Sequence, residues 1–260
     1  MKSARFPNGL LALALLAAGA CSKQDGATDL SGDSAKATDA LLEQVAEGAR
    51  ASSQANQARR ATAALPQPDP EVALGSYVKM EDGKQLMFMY VASSSLPPDY
   101  EKLASAFSTE YQQATDNFRK RDLMRALRPQ LDAQIGLARA RRYAWIDVEE
   151  PELRPYDFDR GGFGVGEFQN EGWRYFSAGD YKLSWANGDA VAFAPVKDES
   201  TARTIEAMRT DWNDRPQLRV YFFAQSADLA NEAVKALVTR VQIRDQTGRV
   251  LSEYGPGGMP

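Results

Sequence analysis

"VKALVTRVQIRDQTGRVLSEY", Val234–Tyr254, is where the fold class is decided. Two runs rich in branched residues flank Asp245–Gly248, and branched side chains suit a pleated, half-buried strand. Gly248 stands where a bulged hairpin loop needs a left-handed residue, so the stretch predicts two antiparallel strands. Just upstream, "QLRVYFFAQS", Gln217–Ser226, predicts another. Further back, "RYAWIDVEEPE" from Arg142 spaces Tyr143, Trp145, Ile146 and Val148 in a strand-like run. "WRYFSAGDYKLSWANGDAVAFAPV" from Trp173 adds three short runs, broken by Ala-Gly-Asp and by Asn187-Gly188-Asp189. Asn-Gly between such runs predicts a hairpin. One helical stretch, around Asp198 to Arg209, interrupts these strands, so strand–helix–strand crossovers are too few for a parallel sheet. The expectation is α+β: an antiparallel sheet or sandwich with two or three packed helices.

The helices precede the sheet. Asp99 follows two prolines in "LPPDYEKL" and is placed to cap a helix, along which Leu103, Phe107 and Tyr111 recur at spacing four and form one buried face. "FRKRDLMRALRPQLDAQIGLARARR", Phe118–Arg142, repeats Leu123, Leu127, Leu131 and Ile135 in the same way, with Arg121, Arg125 and Arg128 roughly opposite. That is an amphipathic helix, in which Pro129 predicts a kink or a fresh helix start. Ahead of both, "KQLMFMYVAS", Lys84–Ser93, is an apolar run of strand length and reads as a strand.

The amino terminus has another character. Lys2 and Arg5 precede an apolar stretch, Leu10–Ala18, and small residues lead to Cys21. This is the layout of a secretory signal peptide, too short for the roughly 20 apolar residues of a membrane span. Ser22 to Pro70 is rich in Ala, Ser, Gln, Asp and Gly, contains no aromatic residue, and closes on "PQPDPE". With so little to bury it reads as a disordered tether of about 49 residues, reaching on the order of 40 Å. The division is therefore signal peptide 1–20, anchor and linker 21–70, and one domain 71–260.

What is missing narrows the chemistry. The chain has no histidine and one cysteine, Cys21. Histidine bases, His-ligated zinc, thiol nucleophiles and disulfides inside the domain are excluded, and no metal or cofactor is implied. Without Lys2 and Arg5 the chain carries 29 basic against 35 acidic residues, a formal charge of −6 that offers nucleic acid nothing.

Two stretches hold candidate chemistry. "DRGGFGVGEF", Asp159–Phe168, has the glycines of a phosphate loop, but the lysine and the spacing such loops use are absent, which favours a turn or a glycine-loosened strand. Asp147, Glu149, Glu150, Glu152, Asp157 and Asp159 form an acidic run. It reads as a solvated strand edge and loop; the alternative is a pair of carboxylates serving a peptidoglycan or glycan hydrolase.

Ala18, Gly19, Ala20 and Cys21, with Leu16 upstream, resemble the lipobox of bacterial lipoproteins. The resemblance implies lipidation of Cys21, and Ser22, in place of aspartate, implies an outer-membrane anchor with the domain facing the periplasm. Residues Tyr77–Tyr254 are similar to an uncharacterised family of proteobacterial exported proteins, through "LPPDYEKLA", "FRKRDLMRALRPQLDAQI" and "VQIRDQTGRVLSEY"; that family brings no assigned activity. The functional expectation is a non-enzymatic lipoprotein that binds a protein or envelope component, in one version as an immunity or inhibitor protein. Arg121, Arg125 and Arg128 are the candidate partner-binding residues, since a basic helix on an acidic chain suits an anionic partner.

Overall fold

The computed structural model describes Glu47 and residues 65–257, except Asn170, Glu171 and Ala178. The signal segment, Cys21 and all of the tether except Glu47 and residues 65–70 lie outside the described residues. Among residues 65–257 the fold is α+β, with five helices where the sequence predicts two or three, one mixed seven-stranded sheet and one small three-stranded sheet. No described helix is long and apolar enough to cross a membrane.

The stretch that decides the class forms the centre. β8 (Gln217–Asp228) and β9 (Ala233–Arg244) pair antiparallel over their whole length, and β10 (Val250–Tyr254) folds back on β9. The turn between β9 and β10 is the one predicted: Gly248 has φ +88°, and the Asp245 carboxylate accepts the backbone N–H groups of Thr247 and Arg249. β2 (Tyr143–Val148) flanks β8 antiparallel. Two pairings are parallel, β1 (Val78–Lys79) with β2 and β6 (Lys182–Trp185) with β9, so the sheet is mixed. β5 (Arg174–Tyr175) closes the far edge, giving the order β1-β2-β8-β9-β6-β5. β3 (Leu153–Asp157), β4 (Gly162–Val165) and β7 (Phe193–Pro195) make the small sheet. The glycine-rich stretch is its β3–β4 turn and second strand: Gly161 has φ +69°, and a Cβ on Gly162 would lie 2.2 Å from the Ala194 carbonyl oxygen.

Asn187-Gly188 does not make a hairpin. β6 and β7 lie in different sheets, and Asn187 turns its side chain onto the edge of β9. Its Nδ2 donates to the Val238 carbonyl at 2.9 Å, and the Val238 N–H donates to its Oδ1 at 2.8 Å. β6 pairs with β9 only as far as Ala236, and β10 only from Val241 onward. The amide thus acts as one residue of strand in the gap between them, answering a buried backbone unit that would otherwise be orphaned.

Lys84–Ser93 is helix and not strand. α1 spans Gly83–Ser93, with the Asp82 carboxylate accepting the Gln85 N–H. The helix packs against β8 and β9 and also against α4 (Asn117–Ala140), burying Leu86, Met87, Phe88, Met89 and Val91. Burial on opposite sides leaves no polar face, so the sequence shows no helical period, while Lys, Gln, Leu and Met all favour helix. The helix predicted from Asp99 comes as two pieces, α2 (Tyr100–Phe107) and α3 (Thr109–Gln113). They break at Ser108, whose hydroxyl accepts the Tyr111 N–H. α4 runs unbroken through Pro129, its stripe buried at Leu131 and Ile135. α5 (Glu199–Thr210) starts at the Asp198 cap. Residues 66–70, placed by the sequence in the linker, lie on the sheet: the Pro66 carbonyl accepts from Gln225, and the Asp69 N–H donates to the Tyr143 hydroxyl at 2.7 Å.

Candidate functional site

The predicted basic face proves partly self-neutralised. Arg121 donates twice to the adjacent Asp122 carboxylate, at 3.2 and 3.1 Å, and Arg125 lies 4.0 Å from the same oxygen. The Arg128 guanidinium sits 4.2 Å above the Tyr100 ring, whose hydroxyl donates to Asp132. That donation to a carboxylate pushes the Tyr100 hydroxyl above its ordinary range. All three arginines remain on an exposed face of α4, and none lines a cavity described below.

Concavity and unneutralised charge coincide at the other end of α4. A cavity of about 330 Å³ lies between α1, the last turns of α4 and the short edge strand β1. Its walls are Met80, Phe88, Met89, Phe107 and Ala144, with Phe88 and Phe107 in edge-to-face contact at 5.8 Å. Val78 and Leu137 form its lip, 37% and 45% exposed. Three cations stand around this apolar interior: Lys79, Lys84 and Arg141. Lys79 is 3.7 Å from Glu81, whereas Lys84 and Arg141 have no carboxylate partner among the described residues. Lys84 reaches only the Phe107 carbonyl, at 3.5 Å. The one carboxylate in the lining, Asp82, is occupied by capping α1.

Local sequence explains this arrangement. β1 pairs with β2 over only two residues and leaves Val78 and Lys79 at an uncovered edge. The Asp82 cap starts α1 there, which turns Lys84 outward and Phe88 and Met89 inward. Leu137 falls off the stripe of Leu123, Leu127, Leu131 and Ile135, and an apolar residue outside the buried stripe is the sequence signal for a second apolar surface. Slots of this kind hold apolar groups, with a few polar groups fixing orientation. Cations at an apolar mouth select a ligand with an anionic head.

The acidic run is scattered. Asp147 is held bidentately by Arg219, at 2.8 and 2.9 Å, and Asp157 accepts the N–H groups of Asp159 and Arg160 in the β3–β4 turn. Glu150 and Glu152 instead reach a second cleft, of about 460 Å³, where Glu167 from the glycine-rich stretch joins them. Among the described residues no group of three or more potential ligands is placed to hold a metal ion. Comparison with protein-family models, curated proteins and solved structures finds no match to this chain.

Proposed function

We propose that the chain is a lipid-anchored binding protein of the outer membrane, facing the periplasm, whose α+β domain holds an anionic, acyl-bearing envelope component without transforming it. The observation that carries this reading is the apolar slot between α1 and α4, with Lys84 and Arg141 at its mouth, neither of them ion-paired to a carboxylate among the described residues. An acyl chain fills the interior and its phosphate or carboxylate head meets the cations. Arg121, Arg125 and Arg128, on the exposed face of the same helix, add a diffuse attraction for an anionic membrane surface. The residue inventory supports a non-enzymatic role, since the domain has neither imidazole nor thiol.

The test is calorimetric titration of the chain from Ser22 onward with dodecyl phosphate, below its micellar concentration, beside dodecyl maltoside as a neutral amphiphile. Saturable binding of the phosphate, at least tenfold tighter than the maltoside and weakened tenfold or more by Lys84→Glu with Arg141→Glu, supports the reading. Equal affinity for both amphiphiles, or no saturable binding by folded protein, refutes it.

A further inference from the structure

We propose that the second cleft, at the β5–β6 edge of the main sheet, binds a neutral saccharide. It is lined by the aromatic rings of Trp173, Tyr175 and Trp185 together with Glu150, Glu152 and Gln169. The rings decide the ligand class. A ring face is apolar and slightly negative, and it takes the flat C–H face of a pyranose, whose edge hydroxyls then need acceptors. Carboxylates at positions 150 and 152 supply those acceptors, and the Gln169 amide, its oxygen held by Arg154, offers its NH2 as a donor. Tyr175 is 65% exposed, while Trp185 is anchored edge-to-face on Phe168 and Phe222, at 5.9 and 5.6 Å. One wall is thus rigid and the other open.

Two other ligand classes fit less well. An aromatic cage with acids nearby suits an organic cation, but these rings already have cations of their own. The Lys182 ammonium lies 5.5 Å from the Trp173 ring centre and 5.9 Å from that of Tyr175, and Lys235 lies 5.9 Å from Trp173. A second cation would be repelled there. An anion would meet Glu150 and Glu152, which have no basic partner among the described residues.

The cleft also lacks the parts for hydrolysis. Glu167 is held by Arg174, at 3.0 and 2.5 Å, so its charge is committed to a salt bridge. Glu150 and Glu152 are both exposed, whereas a general acid works from a desolvated position. Gly166 lets the Glu152 side chain lie against the β4 end: a Cβ there would fall 2.5 Å from its carboxyl carbon. Saccharide is therefore held and released unchanged.

The experiment uses the full chain in detergent micelles, titrated by calorimetry with chitotetraose as the neutral probe and spermidine as the cationic one. The expected result is saturable chitotetraose binding, weakened at least tenfold by Tyr175→Ala and several-fold by Glu150→Gln with Glu152→Gln, and no cleavage of the recovered sugar. Tyr175 is exposed and Glu→Gln keeps shape, so these variants stay folded, which circular dichroism checks. Binding of spermidine alone, binding of neither probe, binding unaffected by Tyr175→Ala, or release of shorter sugars would each overturn the proposal.

Discussion

Asn187 offers the sharpest test of how this sheet is held together. Its amide makes two hydrogen bonds to the backbone of Val238, a residue only 1% exposed. Asn187→Ala removes a donor and an acceptor at once and strands an N–H and a C=O in the gap between β6 and β10. Each orphaned buried group costs about 1–3 kcal/mol. The same residues line a cavity of about 480 Å³ under the 67–72 segment, so water can enter the truncated position and recover part of the loss. The net expectation is about 2 kcal/mol. With a urea slope of about 2 kcal/mol/M, the unfolding midpoint falls by about 1 M at unchanged slope.

Asn187→Asp separates hydrogen bonding from mere space filling. The acid keeps an acceptor for the Val238 N–H but turns an oxygen toward the Val238 carbonyl, so the ionised form costs more than alanine at neutral pH. The protonated form regains a donor. The folded state therefore raises the pKa of the introduced carboxyl above its unfolded value, and the deficit relative to wild type fades as pH falls through that raised pKa. Urea denaturation from pH 7 down to 4, with hydrogen exchange at the Val238 amide, reads both effects. An alanine variant within about 0.5 kcal/mol of wild type, or an aspartate variant indifferent to pH, would refute the bridging role.

Other substitutions test other parts of the frame. Pro129→Ala restores a backbone donor in the middle of α4 and should stabilise by about 1–2 kcal/mol, less than the full helix-interior penalty because the unfolded chain also gains freedom; thermal unfolding measures it. Gly136→Ala, with nothing within 4 Å of its Cβ, should add about 0.5–1 kcal/mol in the same helix, whereas Gly162→Ala, driven into the Ala194 carbonyl, should cost at least about 2 kcal/mol by chemical denaturation. Asp198 and Asp245 are both held down to about 2, Asp198 by hydrogen bonds from Ser200 and Thr201 and Asp245 by those from Thr247 and Arg249. Their folded pKa lies below the unfolded one, so their stabilisation is complete above pH ~4 and lost as pH falls toward 2. Asp198→Asn with Asp245→Asn should flatten the acid limb of a stability–pH curve across that window.

Where the sequence could be read, solvent was the reason. α4 and α5 show their periods because each has one wet face, and the β9–β10 turn shows itself because Asp245 and Gly248 satisfy a local geometry. α1 hid for the opposite reason: buried between the sheet and α4, Leu86 to Met89 are all apolar and carry no phase. Asn187 misled because its side chain does what a strand backbone does, a role no local pattern announces. The parallel pairings join segments distant in sequence: four helices separate β1 from β2, and β7, α5 and β8 separate β6 from β9, so neither has the single-helix crossover that a sequence pattern can signal. Both cavities were only half legible. Glu150 and Glu152 stood out as part of a charge run, while Glu167, at the end of β4, and Trp173 and Trp185, at the β5–β6 edge, reach them only because the two sheets lie side by side at this cleft. Lys84 and Arg141 look like ordinary surface cations until the fold brings the end of α4 beside the start of α1.

The placement of the two cavities has a consequence of its own. The slot touches β1 and β2, the cleft touches β5 and β6, and the strand order puts β8 and β9 between them. From β2 to β6 is three strand spacings, about 14 Å. The long β8–β9 pair, with Val220, Phe222, Val238 and Val241 fully or almost fully buried, stands between them as a packed divider. Occupancy on one side therefore reaches the other only through this buried pair, and side chains that far apart act additively to within about 0.3–0.5 kcal/mol. Charge reversal at Lys84 and Arg141 should leave chitotetraose affinity unchanged, and Tyr175→Ala should leave dodecyl phosphate affinity unchanged, both by calorimetry. Coupling above about 1 kcal/mol would mean that the β8–β9 pair is not the divider its packing makes it, and that the two cavities respond as one.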